Sequence, residues 1–500
     1  MTKTCKIILL IVIFAAAFAL RMVDFDDPPL DFHPARQMHS ALMARGFYLK
    51  SNGYPDDRPA DYYRDAMVLG TLEAWIEPPI YEKLTAGLYG LFGSVDLRIP
   101  RAASIFFWLL GGLGLALLAD SLLGAAGMFA ALGWYLFFPY SVIASRSFQP
   151  DIIMVFLLIW TMYLLTVWIR KPYAFLRMLA LAVTAGACIL VKQVAAFPLG
   201  LAIAAALIAS QGLKNTLKNP LVWIAAVICL APMLAYNYWG YFVKGFLVQQ
   251  YQGRFFLSEL TSPAFYVRWL RMIDEVFSVP LFFGAVFGIL LVRDKVSRSA
   301  WLGYFAGYLF YGLCLPHHIG THNYYQLLIF PLVAFGLGSL AKCTARGIMK
   351  AARKQSRLIP VLAVLCGIVL CGWWAADSVM TMHRRDFRAW PERWSEWIGE
   401  LEPYENRIST IGIMDDYGAG MTYWGLHTPG IWDTGVEGLG EYDALVKLNT
   451  TFWNYKWLVV TDLEKFYTQP HLQRYLADTA KVYRQEADYI IYELGAGSEE

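Results

Sequence analysis

Charge is scarce in this sequence. Only 16% of its 500 residues are Asp, Glu, Lys or Arg, against 57% hydrophobic, a balance that excludes an ordinary water-soluble globular chain. Between Arg101 and Ser258 the sole acidic residues are Asp120 and Asp151, as expected where a carboxylate in hydrocarbon is costly. Cysteine is absent beyond Cys371, so the last stretch holds no pair for a disulfide, and Cys366 and Cys371 read as apolar filler. No basic stripe interleaved with aromatics occurs, and the formal net charge is only +3, which argues against nucleic acid as a partner. With a mean hydropathy of +0.42, the chain falls in the membrane class.

What is present is a series of about eleven apolar runs, each long enough to cross a hydrocarbon core roughly 30 Å thick. They lie near 6–22, 101–120, 124–143, 150–169, 175–191, 194–211, 220–240, 279–292, 300–316, 323–341 and 358–376. None alternates with period two, so the spans are helices rather than barrel strands. Ile7 to Leu20 follows Lys3 and Lys6 like a signal peptide, but Arg21 and Asp24 stand where a small-residue cleavage site belongs, and an uncleaved first span is expected.

With the N-terminus cytoplasmic, every second loop carries the basic residues: Arg170, Lys171 and Arg177; Lys214 and Lys218; Arg293, Lys295 and Arg298; and Lys342 through Arg357. The opposite orientation would put all of these outside. The reading is therefore an all-α polytopic membrane domain over 1–376, with a first outer loop at 23–100, and a C-terminal extracytoplasmic α/β domain over 377–500. Strand-like runs in that tail are Arg407–Met414, Trp457–Thr461 and Tyr489–Leu494.

The unusual residues collect in the outer set of loops. Asp151 follows Pro150 at the start of a span, where it serves either as a helix N-terminal carboxylate or as a group facing a cavity. The first loop opens with Asp24, Asp26, Asp27 and Asp31, and Asp31 stands closest to His33 and Arg36, which could position it and tune its pKa. Glu77 precedes Pro78-Pro79-Ile80-Tyr81 and an amphipathic stretch, Glu82 to Phe92, expected at the interface. His317, His318 and His322 crowd another outer loop ahead of Tyr324 and Tyr325; without an accompanying carboxylate or Cys pattern, hydrogen bonding to a polar ligand ranks ahead of a metal. Lys192 interrupts an apolar stretch, either to neutralise a phosphate or to snorkel to the headgroups. Arg146 and Arg254 are further phosphate partners on the same side.

In their order and sidedness these residues resemble the GT-C glycosyltransferases that use polyprenyl-phosphate sugars, particularly the protein-mannosyltransferase and lipid A aminoarabinose-transferase branch. The likeness rests on Asp31 soon after the first span, Ala44-Arg45, Pro78-Pro79-Ile80-Tyr81, Arg98-Ile99-Pro100-Arg101, Pro150-Asp151, Lys192 and His322-Asn323-Tyr324-Tyr325, with Tyr423-Trp424-Gly425 and Trp457-Leu458-Val459-Val460 in the tail. Two departures stand out. Asp31 is followed by Phe32 where many relatives have a second carboxylate, and Trp373-Trp374 is followed by Ala375, which argues against an oligosaccharyltransferase.

The resemblance implies a multi-pass enzyme of the cell (inner) membrane that moves a sugar, with inversion, from a polyprenyl-phosphate donor to a glycan, lipid or protein acceptor. Under it Asp31 is the general base, Asp151 orients acceptor or sugar, and Lys192, Arg146 or Arg254 meets the phosphate. His33, Arg36, Glu77, His322, Tyr324 and Tyr325 are the expected substrate contacts, and membrane lipid is a further partner. No cofactor is assigned, and a divalent metal is left open. The rivals are a transporter or flippase of a lipid-linked saccharide, for which no internal repeat is seen, and a noncatalytic scaffold.

Overall fold

The computed structural model describes residues 2–53, 77–251, 256–355, 358–384, 386–401, 410–414, 416–432 and 434–495. Within these, each apolar run falls on a helix, the spanning form that satisfies its own backbone hydrogen bonds in lipid. Local signals set the starts. The Asn219 and Asp294 side chains accept from the amides of Leu221 and Ser297, and prolines 139, 150, 220, 263 and 316 occupy first turns, where their missing N–H costs nothing.

Among the described residues seven helices are long and apolar enough to cross a membrane: Lys3–Arg21, Arg98–Phe137, Pro150–Ile169, Gln193–Lys218, Pro220–Val243, Asn323–Lys350 and Val361–His383. This is fewer than the eleven runs because two of them share the 40-residue helix Arg98–Phe137, which breaks at Gly124 (φ 74°). A third, Val279–Leu290, meets Pro263–Phe277 at an 86° bend, with Ser278 at φ 61° between them. Phe175–Val191 is apolar but shorter, and Lys295–Cys314 carries more polar residues.

The described residues of Met1–Phe25, Ala74–Tyr81 and Pro100–Arg384 pack as one compact unit. Its helices meet backbone to backbone at small residues. A methyl group at Gly336 would strike the carbonyl oxygen of Ala285, and one at Gly288 that of Gly336, so Val279–Leu290 and Phe330–Gln355 lie in direct contact. Gly303 and Gly307 do the same for Lys295–Cys314 against Ala196–Lys218, at the carbonyls of Leu201 and Phe197. Asp120, one of the two scarce acids, pairs with Lys6 at 2.6 Å.

The second unit joins the described residues of Asp26–Glu73, Glu82–Ile99 and Arg385–Glu500, so much of the first loop packs with the tail. Its sheet comprises β1 (Thr410–Ile413), β2 (Gly430–Ile431), β3 (Trp457–Val460), β4 (Ala480–Gln485) and β5 (Ile490–Leu494) in the order β2-β1-β3-β5-β4. The first three are parallel, while β5 runs antiparallel to both β3 and β4. Alternate residues point to opposite faces. Ile411, Ile413, Leu458 and Val460 pack under Glu441–Phe452 and Pro470–Thr479, whereas Trp457, Val459 and Ile491 pack with Trp394, Trp397 and Met421. Both faces are covered, which is why β1 and β3 are buried at every position. The first-loop helix Pro34–Asn52 docks on Ala419–Trp424 of the same unit.

Gly336→Ala should lower thermal stability in detergent by about 1–3 kcal/mol through overpacking. Gly347→Ala, on the same helix with open space around it, should leave stability unchanged or raise it by up to about 1 kcal/mol. Equal melting temperatures for the two variants would contradict the backbone contact.

Candidate active site

Pro150 starts the helix Pro150–Ile169 and puts Asp151 in its first turn, at the positive end of the helix dipole. The helix Phe175–Val191 ends at Lys192, whose backbone is extended (φ −147°, ψ 105°) before the short 3₁₀ turn Gln193–Ala195. This break frees the lysine side chain from the line of the helix. Its Nζ donates to Asp151 Oδ2 at 2.8 Å and lies 3.4 Å from Glu77 Oε1. The Lys192 and Asp151 side chains are 3% and 1% exposed. Lys192 is therefore held by carboxylates inside the protein rather than snorkelling to the headgroups.

Glu77 is positioned by the element that follows it. The Tyr81 hydroxyl donates to the carbonyl of Pro100 at 2.8 Å and meets the Ser104 hydroxyl at 2.6 Å, while Ser104 donates to the carbonyl of Ser147. The Tyr81 ring packs edge-on against Phe148, 4.9 Å away. Pro78-Pro79-Ile80-Tyr81 is thus pinned to the turn that leads into Asp151.

On the other side of the ammonium, the rings of Tyr324 and Tyr325 lie 5.7 and 5.9 Å from Nζ. His322 packs against both tyrosines, and His318 against Tyr325. His317 turns instead to Glu259, 3.6 Å away, so the three histidines do not converge. The sequence reading missed Tyr140, which donates to Asn323 Oδ1 at 3.0 Å, and Glu275, which accepts from Asn323 Nδ2 at 3.2 Å. Tyr140 and Tyr311 both lie within electrostatic range of Asp151 and Tyr324.

Arg146, another expected phosphate partner, is buried. It donates to the carbonyl of Asp24 at 2.6 Å, with Met382 Sδ beside its guanidinium. Arg101 donates to the carbonyls of Asp24 and Phe25. Arg254 lies outside the described residues. Among the described residues no three His, Cys, Asp or Glu side chains converge as a metal would require, and Asp151 and Glu77 share an ammonium.

In the second unit Asp31 is half-buried just before the helix Pro34–Asn52, whose N-terminal residue His33 takes a left-handed backbone (φ 49°). Arg36 and Gln37 return their amides to the His33 carbonyl, and Gln37 Nε2 donates to that of Phe32 at 2.7 Å. The neighbouring acids have anchoring partners. Asp26 pairs with Arg388, which lowers its pKa, Asp27 accepts from the Phe387 amide at 2.8 Å, and Asp24 in the first unit pairs with His383 at 2.7 Å. Farther along the same helix, Arg45 donates to the carbonyls of Thr422 and Tyr423, with its guanidinium 4.0 Å above the Tyr423 ring. Two motifs distant in sequence thereby meet.

Replacing Lys192 with Met should cost about 3–5 kcal/mol, because it strands the buried Asp151 carboxylate. Adding Asp151→Leu should recover much of that loss, as read in thermal melts of the two variants. His39, on the same helix as Arg45, has its pKa lowered from 6.5 to about 4 by burial, with Arg36 acting in the same direction. The folded value lies below the unfolded one, so the associated stability is present above about pH 6.5 and is lost as pH falls toward 4, by up to about 3 kcal/mol. His39→Gln should flatten the pH dependence of melting across that window.

Residues 76–239 match the family described as dolichyl-phosphate-mannose-protein mannosyltransferase. A comparison with the sequences of curated proteins found no match. ArnT from Cupriavidus metallidurans, solved bound to undecaprenyl phosphate, is similar over 98% of each chain with a TM-score of 0.57 at 15% identity. The apo oligosaccharyltransferase of Archaeoglobus fulgidus is similar over 99% of this chain and 75% of its own, with a TM-score of 0.58 at 12% identity. Its complex with an inhibitory peptide and a dolichol-phosphate gives a TM-score of 0.55 at 12% identity, over 98% of this chain and 75% of that one. At these identities the likeness is one of fold. Together with the matched segment, it supports the resemblance to GT-C type polyprenyl-phosphate-sugar glycosyltransferases and a multi-pass membrane fold.

Proposed function

We propose that the chain transfers a sugar, with inversion, from a polyprenyl-phosphate donor to an acceptor hydroxyl on the extracytoplasmic side of the cell membrane. The observation that carries this reading is Lys192, a buried ammonium held between Asp151 and Glu77 with two tyrosine rings beside it. A cation fixed in this way is ready to meet a phosphate without reorganising. The ligands in the similar structures, undecaprenyl phosphate in one and dolichol-phosphate in another, are of the kind such a donor would leave behind.

In the step proposed, the acceptor oxygen bonds to the anomeric carbon as the bond from that carbon to the phosphate oxygen breaks. The hydroxyl proton passes to the Asp31 carboxylate, and the phosphate departs on its lipid. Asp31 is favoured as base by the resemblance, as the carboxylate that follows soon after the first span and precedes His33 and Arg36. Lys192 is the favoured phosphate partner, as the buried ammonium that Asp151 and Glu77 fix beside Tyr324 and Tyr325. Asp151 aims the ammonium and orients the acceptor or sugar, with His33, Arg36, Glu77, His322, Tyr324 and Tyr325 as substrate contacts. The alternation of basic loops supports a cytoplasmic N-terminus and an extracytoplasmic tail.

In proteoliposomes supplied with a labelled polyprenyl-phosphate sugar and membrane acceptors, the chain should release lipid phosphate as it glycosylates the acceptor. Asp31→Asn should slow that transfer by about 10²–10⁴-fold. A variant turning over at the original rate would remove Asp31 as base, and translocation of the donor without transfer would make the chain a flippase.

A further inference from the structure

Gly303, Gly307 and Tyr311 succeed one another at four-residue spacing, on one face of the helix Lys295–Cys314. The two glycines press that face against the carbonyls of Leu201 and Phe197 in Ala196–Lys218. Tyr311, one turn farther on, reaches the start of that helix, with its ring 5.9 Å from Phe197. Lys192 and the turn Gln193–Ala195 come immediately before this start. Tyr311 therefore packs at the start of that helix, within electrostatic range of Asp151, Tyr324 and Tyr325.

Tyr311 is 0% exposed, and its hydroxyl has no hydrogen-bond partner among the described residues. Three other buried tyrosines differ. Tyr304 donates to the carbonyl of Leu328, Tyr308 to Gln326 Oε1, and Tyr135 to the carbonyl of Trp108. A buried phenol ordinarily finds such a partner, because the unmade bond is costly in a low dielectric. The missing partner is explained if it arrives with a ligand.

Local charge selects the kind of ligand. Asp151 and Glu77 outweigh Lys192, so an anion bound here needs neutral donors as well as the ammonium. The helices Pro150–Ile169 and Ala196–Lys218 and the turn Asn323–Ile329 all begin beside these residues and add the partial positive charge of their N-termini. A phenol O–H supplies a donor and brings no charge of its own. We propose that the Tyr311 hydroxyl donates a hydrogen bond to the phosphate of the lipid-linked donor, as the uncharged companion of Lys192. This rests on the phosphate role proposed above for Lys192.

The test uses the full chain in nanodiscs, with undecaprenyl phosphate and undecaprenol as probes. Wild type should bind the phosphate in preference to the alcohol. Tyr311→Phe should weaken phosphate binding about tenfold, leave undecaprenol binding unchanged, and melt no lower than wild type without ligand, because no protein bond is lost. If the variant binds the phosphate as tightly as wild type, the Tyr311 assignment is overturned while the Lys192 reading survives. A variant that melts lower without ligand also overturns it, since the hydroxyl would then already have a partner in the protein. If wild type fails to prefer the phosphate over the alcohol, the phosphate role of Lys192 fails first and Tyr311 goes with it.

Discussion

Removing a lysine and an aspartate from water is expensive, and a bundle of apolar helices offers little to offset it. Lys192 and Asp151 are tolerated because each satisfies the other at 2.8 Å, with Glu77 and two tyrosine rings completing the surroundings of the ammonium. The rest of the first unit can be read as the arrangement that makes this pairing geometrically unavoidable. Pro150 sets where one helix begins, and the break at Lys192 sets where another ends. The Tyr81 hydroxyl fastens the strip carrying Glu77 to the same turn. Direct backbone contacts at glycine keep the surrounding helices from adjusting around the pair.

The helical membrane character was legible because hydrophobic runs and scarce charge obey a simple cost. Asp151 and Lys192 stood out for the same reason, as polar residues in a long apolar region. Their pairing was not legible, because nothing in a single sequence links positions forty-one apart across a turn. Tyr140 and Tyr311 were invisible for a different reason. With 30 tyrosines in the chain, composition singles out none of them.

The tail shows the same division. β1, β3 and β5 announce themselves as strand-like runs rich in buried apolar residues because the sheet is covered on both faces. β2 is only two residues long, and β4 is an edge strand whose residues are mostly exposed, so neither carries a hydrophobic signal. The sequence groups the first outer loop with the 1–376 domain, while most of the loop's described residues pack with the tail. The bonds from Arg45 to the backbone of Thr422 and Tyr423 join partners more than 370 positions apart, beyond any local pattern.

That long-range closure bears on biogenesis. A unit assembled from stretches on both sides of the spanning region cannot be completed as its first pieces leave the ribosome, because their docking surface is made last. The early stretches must wait, with the Arg45 guanidinium and the apolar side of its helix uncovered, until the final helix has been inserted. A gene fragment encoding the tail alone would lack the partner that covers Tyr423, so cutting the protein at its last span would divide a folding unit rather than release one.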